Sequence, residues 1–241
     1  QDKHSLLFII ILGMLTAIGP LAIDMFLPGL PELKNDFNTT TANAQLTLSF
    51  FMIGLGIGNL FVGPISDSVG RKKPLIIVMT IFTLASLGII FVHNIWLMII
   101  LRLLQGITGG GAAVISRAIA SDLYKGNELT KFLSLLMLVN GVAPVIAPAL
   151  GGIILSVAVW RVIFVILTIF GILMVMGSLT KIPESLSLEY RDSSGIKVIF
   201  QNFKSLLGTP RFVLPMLIQG VSFILLFNNT ILFCSKPFGL L

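Results

Sequence analysis

Two apolar segments joined by a short charged hairpin constrain the fold of this chain more than any other feature. Residues 46–64 and 74–92 are each close to the length of about 20 residues that a helix needs to cross a bilayer. The hairpin between them carries one carboxylate, Asp67, and three consecutive cations, Arg71 to Lys73. A connection this short leaves no room for a soluble domain, and its cations place the hairpin tip on the cytoplasmic side.

Composition extends this interpretation to the whole chain. Hydrophobic residues make up 56% of the sequence and charged residues only 11%, which is less than half the charged fraction of a typical soluble domain. We therefore predict an all-α integral membrane protein. Its seven spans are expected at residues 5–30, 45–65, 74–93, 96–116, 133–155, 161–181 and 212–234.

Several classes of function are excluded at this point. The net charge of +6 comes from cations in loops, without a basic face carrying interleaved aromatics, so anionic lipid headgroups are the expected partner and nucleic acid is not. A single cysteine, Cys234, and two histidines, His4 and His93, predict no disulfide and no metal site. The glycines at 109–111 lack a following G-K-[ST], so we expect no phosphate loop, no cofactor and no enzymatic activity.

The distribution of cations predicts orientation and domain organisation. With a cytoplasmic N-terminus, twelve Lys and Arg residues fall on the inner side and only three on the outer side. The polar connection at 31–43 is then an outer loop. We predict a six-span bundle over 1–182, a cytoplasmic linker over 183–210 and a seventh span within 211–241.

Asp24 is the first candidate functional residue, because ionisable groups within a span are costly and therefore usually functional. It lies in span 1 between Pro20 and Pro28, both of which loosen the helical hydrogen-bond ladder. A carboxyl group in this position is suited to exchange protons. The alternative is an interfacial aspartate that caps the outer turn of the helix.

Arg102 is the second candidate, in the sequence Arg-Leu-Leu-Gln105-Gly106 of span 4. It must face the bundle interior or water, and Gln105 lies three residues on, where both side chains share one helical face. We predict one polar site in which Arg102 tunes a titrating partner such as Asp24. The alternative is a structural arginine bonded to backbone carbonyls.

Three residues of span 2, Phe50, Phe51 and Met52, are expected to face lipid. The alternative is that they line a substrate pocket.

The hairpin resembles the signature loop of the major facilitator superfamily of secondary transporters, G-x-x-x-D-x-x-G-R-x-K between spans 2 and 3. The matching positions are Gly63, Asp67, Gly70, Arg71 and Lys73, and Lys72 between the last two belongs to the same predicted loop site. The resemblance implies that Asp67, Arg71 and the later Asp122 form a cytoplasmic charge cluster that steadies one gating state. The alternative is simple solvated loop charge. The glycines are expected at left-handed dihedrals or close backbone contacts.

Span 5 resembles the antiporter motif G-x8-G-P-x-x-G-G of drug:proton exchangers, with Ala147 in place of one glycine. Pro148, Gly151 and Gly152 match its G-P-x-x-G-G part, and the predicted site also includes Gly141 and Pro144 before that part. Ala143, Ala147 and Gly151 recur every four residues and predict a stripe for close helix packing, on the same face as the two prolines. The prolines are expected to bend the helix and to help seal it against leak.

Further residues resemble the bicyclomycin-resistance (Bcr/CflA-type) drug efflux proteins: Pro20 to Pro28, Arg117 to Tyr124, Trp160-Arg161 and Ser235 to Phe238, the last with Lys236 inserted. The R-x-x-Q-G pattern of span 4 resembles the family motif whose arginine is associated with proton transfer. The resemblance implies proton-coupled efflux of drug-like small molecules across the inner membrane by alternating access.

Two other functions stay open from the sequence. The chain resembles roughly the first three-fifths of such a protein, so the second half is missing, and the sequence is expected to be a fragment or a truncated product. A truncated bundle would not transport on its own. The second open function is that of a transporter of the same superfamily that exports a physiological metabolite or sugar.

Overall fold

The computed structural model describes residues 6–186 and five helical positions beyond them, 214, 217, 218, 221 and 222. Residues 6–186 lie within the first of two units, 1–192 and 193–241. Apart from these five positions, the predicted seventh span lies outside the described residues, and so does nearly all of the predicted linker. The elements in chain order are α1 (Leu6–Asp24), a 3-10 turn (Leu27–Gly29), α2 (Leu30–Asp36), α3 (Thr41–Val69), α4 (Lys72–Ile90), α5 (Ile95–Leu123), α6 (Gly126–Val157) and α7 (Arg161–Lys181).

Six helical stretches among the described residues are long and apolar enough to cross a membrane. They correspond to predicted spans 1 to 6, with α1 and α2 together forming the first. α3 packs most extensively against α5, α4 packs against α5 and α7, and α1 packs against α5 and α6. The predicted all-helical, multi-pass bundle is confirmed for this part of the chain.

The loop predicted at 31–43 is wrong over most of its length, because Leu30–Asp36 forms the short helix α2 and α3 already begins at Thr41. Pro31 occupies its first turn, where its missing N–H costs nothing, and Leu33 is fully buried. The acidic side chains of α2 are bound by the start of α7: Glu32 accepts a hydrogen bond from the Trp160 backbone N–H, and Asp36 pairs with Arg161. These tertiary contacts stabilise a helix too short to persist alone.

The hairpin is shorter than its sequence suggests, since α3 continues through Val69 and α4 begins at Lys72. Gly70 ends α3 with a φ of 106°. A residue with a Cβ is strained at that dihedral, so the predicted left-handed glycine is confirmed at this position. Gly63 differs, because a Cβ added there would meet only Val114 at an ordinary 3.5 Å, so the expected close backbone contact is wrong.

Four glycines let the backbones of α3 and α5 touch. A Cβ on Gly54 or Gly58 of α3 would overlap the carbonyl oxygens of Leu103 and Ile107 on α5. A Cβ on Gly106 or Gly110 of α5 would overlap the carbonyl oxygens of Phe51 and Leu55 on α3. Spacing of four residues on both helices gives the small-xxx-small contact typical of membrane helix pairs.

Candidate functional site

Arg102 lies at the centre of the bundle, on α5, with no exposed surface. Its Nη1 donates hydrogen bonds to the carbonyl oxygen of Ala22 at 3.1 Å and to Oε1 of Gln105 at 2.9 Å. Gln105 in turn donates from Nε2 to Oγ of Ser86 on α4, at 2.7 Å. The polar site predicted for Arg102 and Gln105 is present, and it joins α1, α4 and α5.

Three phenylalanine rings surround the guanidinium and form a phenyl cage, with Arg102 Cζ lying 4.5 Å, 4.8 Å and 5.5 Å from the ring centroids of Phe51, Phe26 and Phe164. Cation–π attraction offsets part of the cost of burying this charge. Nε and Nη2 of Arg102 nevertheless donate to no acceptor in the described part of the chain. A buried cation with two unsatisfied donors is a costly arrangement.

Asp24 is the last residue of α1 and is only partly buried. No hydrogen bond joins it to Arg102 in the part of the chain that the structure describes. The link is indirect, because the carbonyl that Arg102 binds belongs to Ala22, two residues earlier in the same helical turn. Both alternatives for these residues are therefore partly realised: Asp24 is at a helix end, and Arg102 does bind a backbone carbonyl.

The phenyl cage corrects the expectation that Phe51 faces lipid, since its side chain is fully buried against Arg102. Sequence reasoning also missed Phe26, Phe164 and Ser86. Phe26 and Phe164 meet edge to face at 5.2 Å, and both contact Trp160, which connects the cage to the end of the bundle where α2 lies. Nothing in the spacing of these aromatics distinguishes them from ordinary core residues.

A second polar group lies at the hairpin, which we call the hairpin cluster: Asp67, Arg71, Asp122 and Glu184. Arg71 Nε donates to Asp122 Oδ2 at 2.9 Å, and Nη1 donates to Ser66 Oγ at 2.7 Å and pairs with Asp67. Burial alone would lower the pKa of Arg71, but the hydrogen bonds and charges of Asp122 and Asp67 outweigh it and raise that pKa. Arg71 is therefore a permanent cation that ties the end of α3 to the end of α5.

Glu184 is the member of the hairpin cluster that the sequence did not reveal. Its carboxylate accepts hydrogen bonds from the backbone N–H groups of Arg71, at 2.7 Å, and Lys72, at 3.3 Å. An acidic side chain at the start of α4 satisfies its free N–H groups and favours its dipole. Lys72 Nζ donates to the carbonyl oxygen of Leu179 at 3.0 Å, so the hairpin binds both the last turn of α7 and the chain that follows it.

The antiporter-motif residues of α6 divide between two faces. Ala143, Ala147 and Gly151 are buried, which agrees with the predicted packing stripe, and a Cβ on Gly151 would overlap the carbonyl oxygen of Met25. Pro144 is exposed and Pro148 half-buried, so the expectation that both prolines share this stripe is wrong. Gly141 and Gly152 face open space in the described part of the chain. The Gly151 end of the buried stripe packs against the backbone of Met25, the residue after Asp24.

Comparison with known proteins gives a consistent result. The family model of the Major Facilitator Superfamily matches residues 12–241. The chain is 43% identical over 213 residues to the uncharacterised MFS-type transporter YdgK of Bacillus subtilis, covering 88% of this chain and 53% of that protein. It is 32% identical over 203 residues to the bicyclomycin resistance protein homolog of Haemophilus influenzae, covering 84% and 51%.

More distant similarities extend the same pattern. Multidrug resistance protein D of Escherichia coli is 28% identical over 230 residues, covering 95% of this chain and 57% of that protein. The crystal structure of the human organic anion transporter MFSD10 (TETRAN) superposes with a TM-score of 0.62 at 16% identity, covering 83% of this chain and 53% of that one. The chain thus spans about half the length of the curated relatives it matches.

Proposed function

Because the chain belongs to the Major Facilitator Superfamily, we propose that it forms the N-terminal six-span bundle of a proton-coupled exporter of drugs or small amphipathic molecules. The observation that carries the proposal is Arg102, a fully buried guanidinium with two unsatisfied donors, bound to the last turn of α1 beside Asp24. The names of the relatives that concern bicyclomycin and multidrug resistance support the substrate class. The cation bias supports a cytoplasmic N-terminus in the inner membrane.

The proposed mechanism couples protonation of Asp24 to the position of α1. When Asp24 is ionised, its negative charge and the carbonyl of Ala22 both attract Arg102 to the end of this helix. Protonation from outside removes that charge and weakens the attraction, which favours one state of the transporter. Substrate that enters from inside competes for the same state, so a proton and a substrate move in opposite directions.

The other two groups of residues have supporting roles in this proposal. The hairpin cluster connects the ends of α3, α4 and α5 and steadies one gating state, because its contacts require those ends to stay together. The stripe on α6 packs against the backbone beside Asp24 and closes the bundle to proton leak. No resident cofactor takes part, and membrane lipids and protons are the other partners.

The proposal is tested by expressing the native full-length polypeptide in cells that lack their own drug exporters. We expect it to export ethidium or carboxyfluorescein, and we expect export to stop when nigericin collapses the pH gradient. Carboxyfluorescein is loaded as its diacetate ester, which is hydrolysed inside the cell. A polypeptide that exports neither dye, or that continues after the gradient is collapsed, would contradict the proposal.

A further inference from the structure

A third charged group lies outside both sites, where Arg117 of α5 faces Asn59 of α3. Arg117 Nη2 donates to Asn59 Oδ1, and Nε donates to the carbonyl oxygen of Ala113, both at 3.2 Å. Asn59 is itself fixed by a hydrogen bond from Nδ2 to the carbonyl oxygen of Leu55, at 2.9 Å. Both side chains are exposed, and their hydrogen bond joins α3 to α5.

The pair lies toward the hairpin end of the bundle. Asn59 is ten residues before the end of α3 at Val69, and Arg117 is six residues before the end of α5 at Leu123. Each of these helices has 29 residues and is about 43 Å long, which exceeds the hydrocarbon core of about 30 Å. The pair therefore lies near one boundary of that core, where water and polar ligands reach an exposed guanidinium.

The charge of Arg117 is also not neutralised within the described part of the chain. Both hydrogen-bond acceptors, a backbone carbonyl and an amide, are neutral, and Arg117 forms no ion pair with the carboxylates of residues 6–186. The acidic residue nearest along α5, Asp122, binds Arg71 and Ser185 instead. The guanidinium is therefore a fixed, exposed cation of the kind that binds carboxylate or phosphate groups.

We propose that Arg117 and Asn59 form a subsite that receives the anionic group of the transported molecule, near the cytoplasmic end of the substrate path. This inference rests on the proposed function and adds that molecules with an acidic group are among its substrates. The subsite is separate from Arg102, which is fully buried and lies fifteen positions earlier on α5. Arg102 would serve the proton and Arg117 the substrate.

The test compares export of anionic carboxyfluorescein and cationic ethidium by the native full-length polypeptide. We expect Arg117→Gln to lower carboxyfluorescein export about tenfold to a hundredfold, the range that a charge-assisted hydrogen bond contributes, and to leave ethidium export within twofold. Asn59→Asp keeps Arg117 but neutralises it, and it should cause the same selective loss even if Arg117→Gln folds poorly. Lys131→Gln removes an equal charge from an exposed position on α6 and should change neither rate.

Each other outcome has a separate meaning. Export of ethidium alone by the unaltered protein, or equal loss of both dyes in Arg117→Gln and Asn59→Asp, would overturn the anion subsite and leave the proposed function standing. Export of neither dye by the unaltered protein would overturn the proposed function itself. A lipid ligand is distinguished in nanodiscs of phosphatidylcholine: we expect carboxyfluorescein to bind there, and displacement by added phosphatidylglycerol would assign the site to lipid headgroups and overturn the inference.

Discussion

Replacing Gly58 with valine is expected to prevent α3 from packing against α5 and to abolish accumulation of the folded protein. The added Cβ would overlap the carbonyl oxygen of Ile107, a backbone atom held in the hydrogen-bond ladder of α5. Neither helix can yield without separating along the whole glycine contact. The smaller change Gly58→Ala adds the same Cβ without the two methyl groups of valine, so we expect it to cost at least about 3 kcal/mol through overpacking. In a bundle of this size that lowers the melting temperature by at least about 6 °C.

The matched control is Gly56→Val, two residues away on the same helix. A Cβ at Gly56 meets nothing within 4 Å in the described part of the chain, so this variant shares the change in helix propensity without the overlap. Thermal unfolding of the purified native full-length polypeptide and its yield as a single species after size exclusion are the measurements. Similar losses in both variants would show that the α3–α5 backbone contact is not what stabilises the pair.

Replacing Arg102 with methionine is expected to abolish coupled export while raising thermal stability. Methionine fills nearly the same volume among Phe26, Phe51 and Phe164 without burying a cation or leaving its donors unsatisfied. Replacing a buried charge by a well-packed apolar residue is often stabilising by about 1–4 kcal/mol. Export should fall at least a hundredfold, because protonation of Asp24 would have no cation to act on.

A loss of export together with a gain in thermal stability distinguishes a functional Arg102 from a structural one. An arginine needed only to cap the carbonyl of Ala22 would destabilise the bundle when removed, and export would fall in proportion to the folded fraction. Arg102→Met should therefore be compared with Leu104→Met, a change of similar size at an exposed position of the same helix. Loss of stability in Arg102→Met, with residual export matching the folded fraction, would contradict the proposed role.

Much of the fold could be predicted because membrane spans are determined by local composition. A helix in lipid must be apolar over about 20 residues, so the six described spans are readable one at a time. α2 was missed because it is polar and short, and only the contacts of Glu32 and Asp36 with Trp160 and Arg161 stabilise it. A structure that depends on residues more than a hundred positions away leaves no local pattern.

In the candidate sites, too, the local pairs could be predicted from the sequence and the contacts between distant residues could not. Arg102 and Gln105, or Arg71 and Asp67, are separated by three or four residues on the chain, so helical geometry alone brings them together. Glu184 and the phenyl cage come from other parts of the chain, and their residue types are ordinary for a membrane bundle. The exposure of Pro144 could not be predicted from the sequence either, because it depends on which face of α6 meets α1.

The two ends of the described bundle are held by different chemistry. At the hairpin end, Arg71 is buried and binds three side chains, so this cluster is sensitive to loss of any partner. At the other end, Arg161 stacks on Trp160 at 4.5 Å and donates to the carbonyl oxygens of Ile90 and Val92. Its pairing with Asp36 is partly exposed and so contributes less.

Proton release on substrate binding tests the central claim most directly. The native full-length polypeptide, purified in detergent and weakly buffered, is mixed with the dye that it exports, ethidium or carboxyfluorescein, while a pH indicator is monitored. Competition between substrate and proton at Asp24 predicts the release of on the order of one proton for each dye molecule bound. Asp24→Asn should bind the dye and release none, whereas Asp24→Glu should retain release. Undiminished release from Asp24→Asn would show that Asp24 is not the coupling carboxylate.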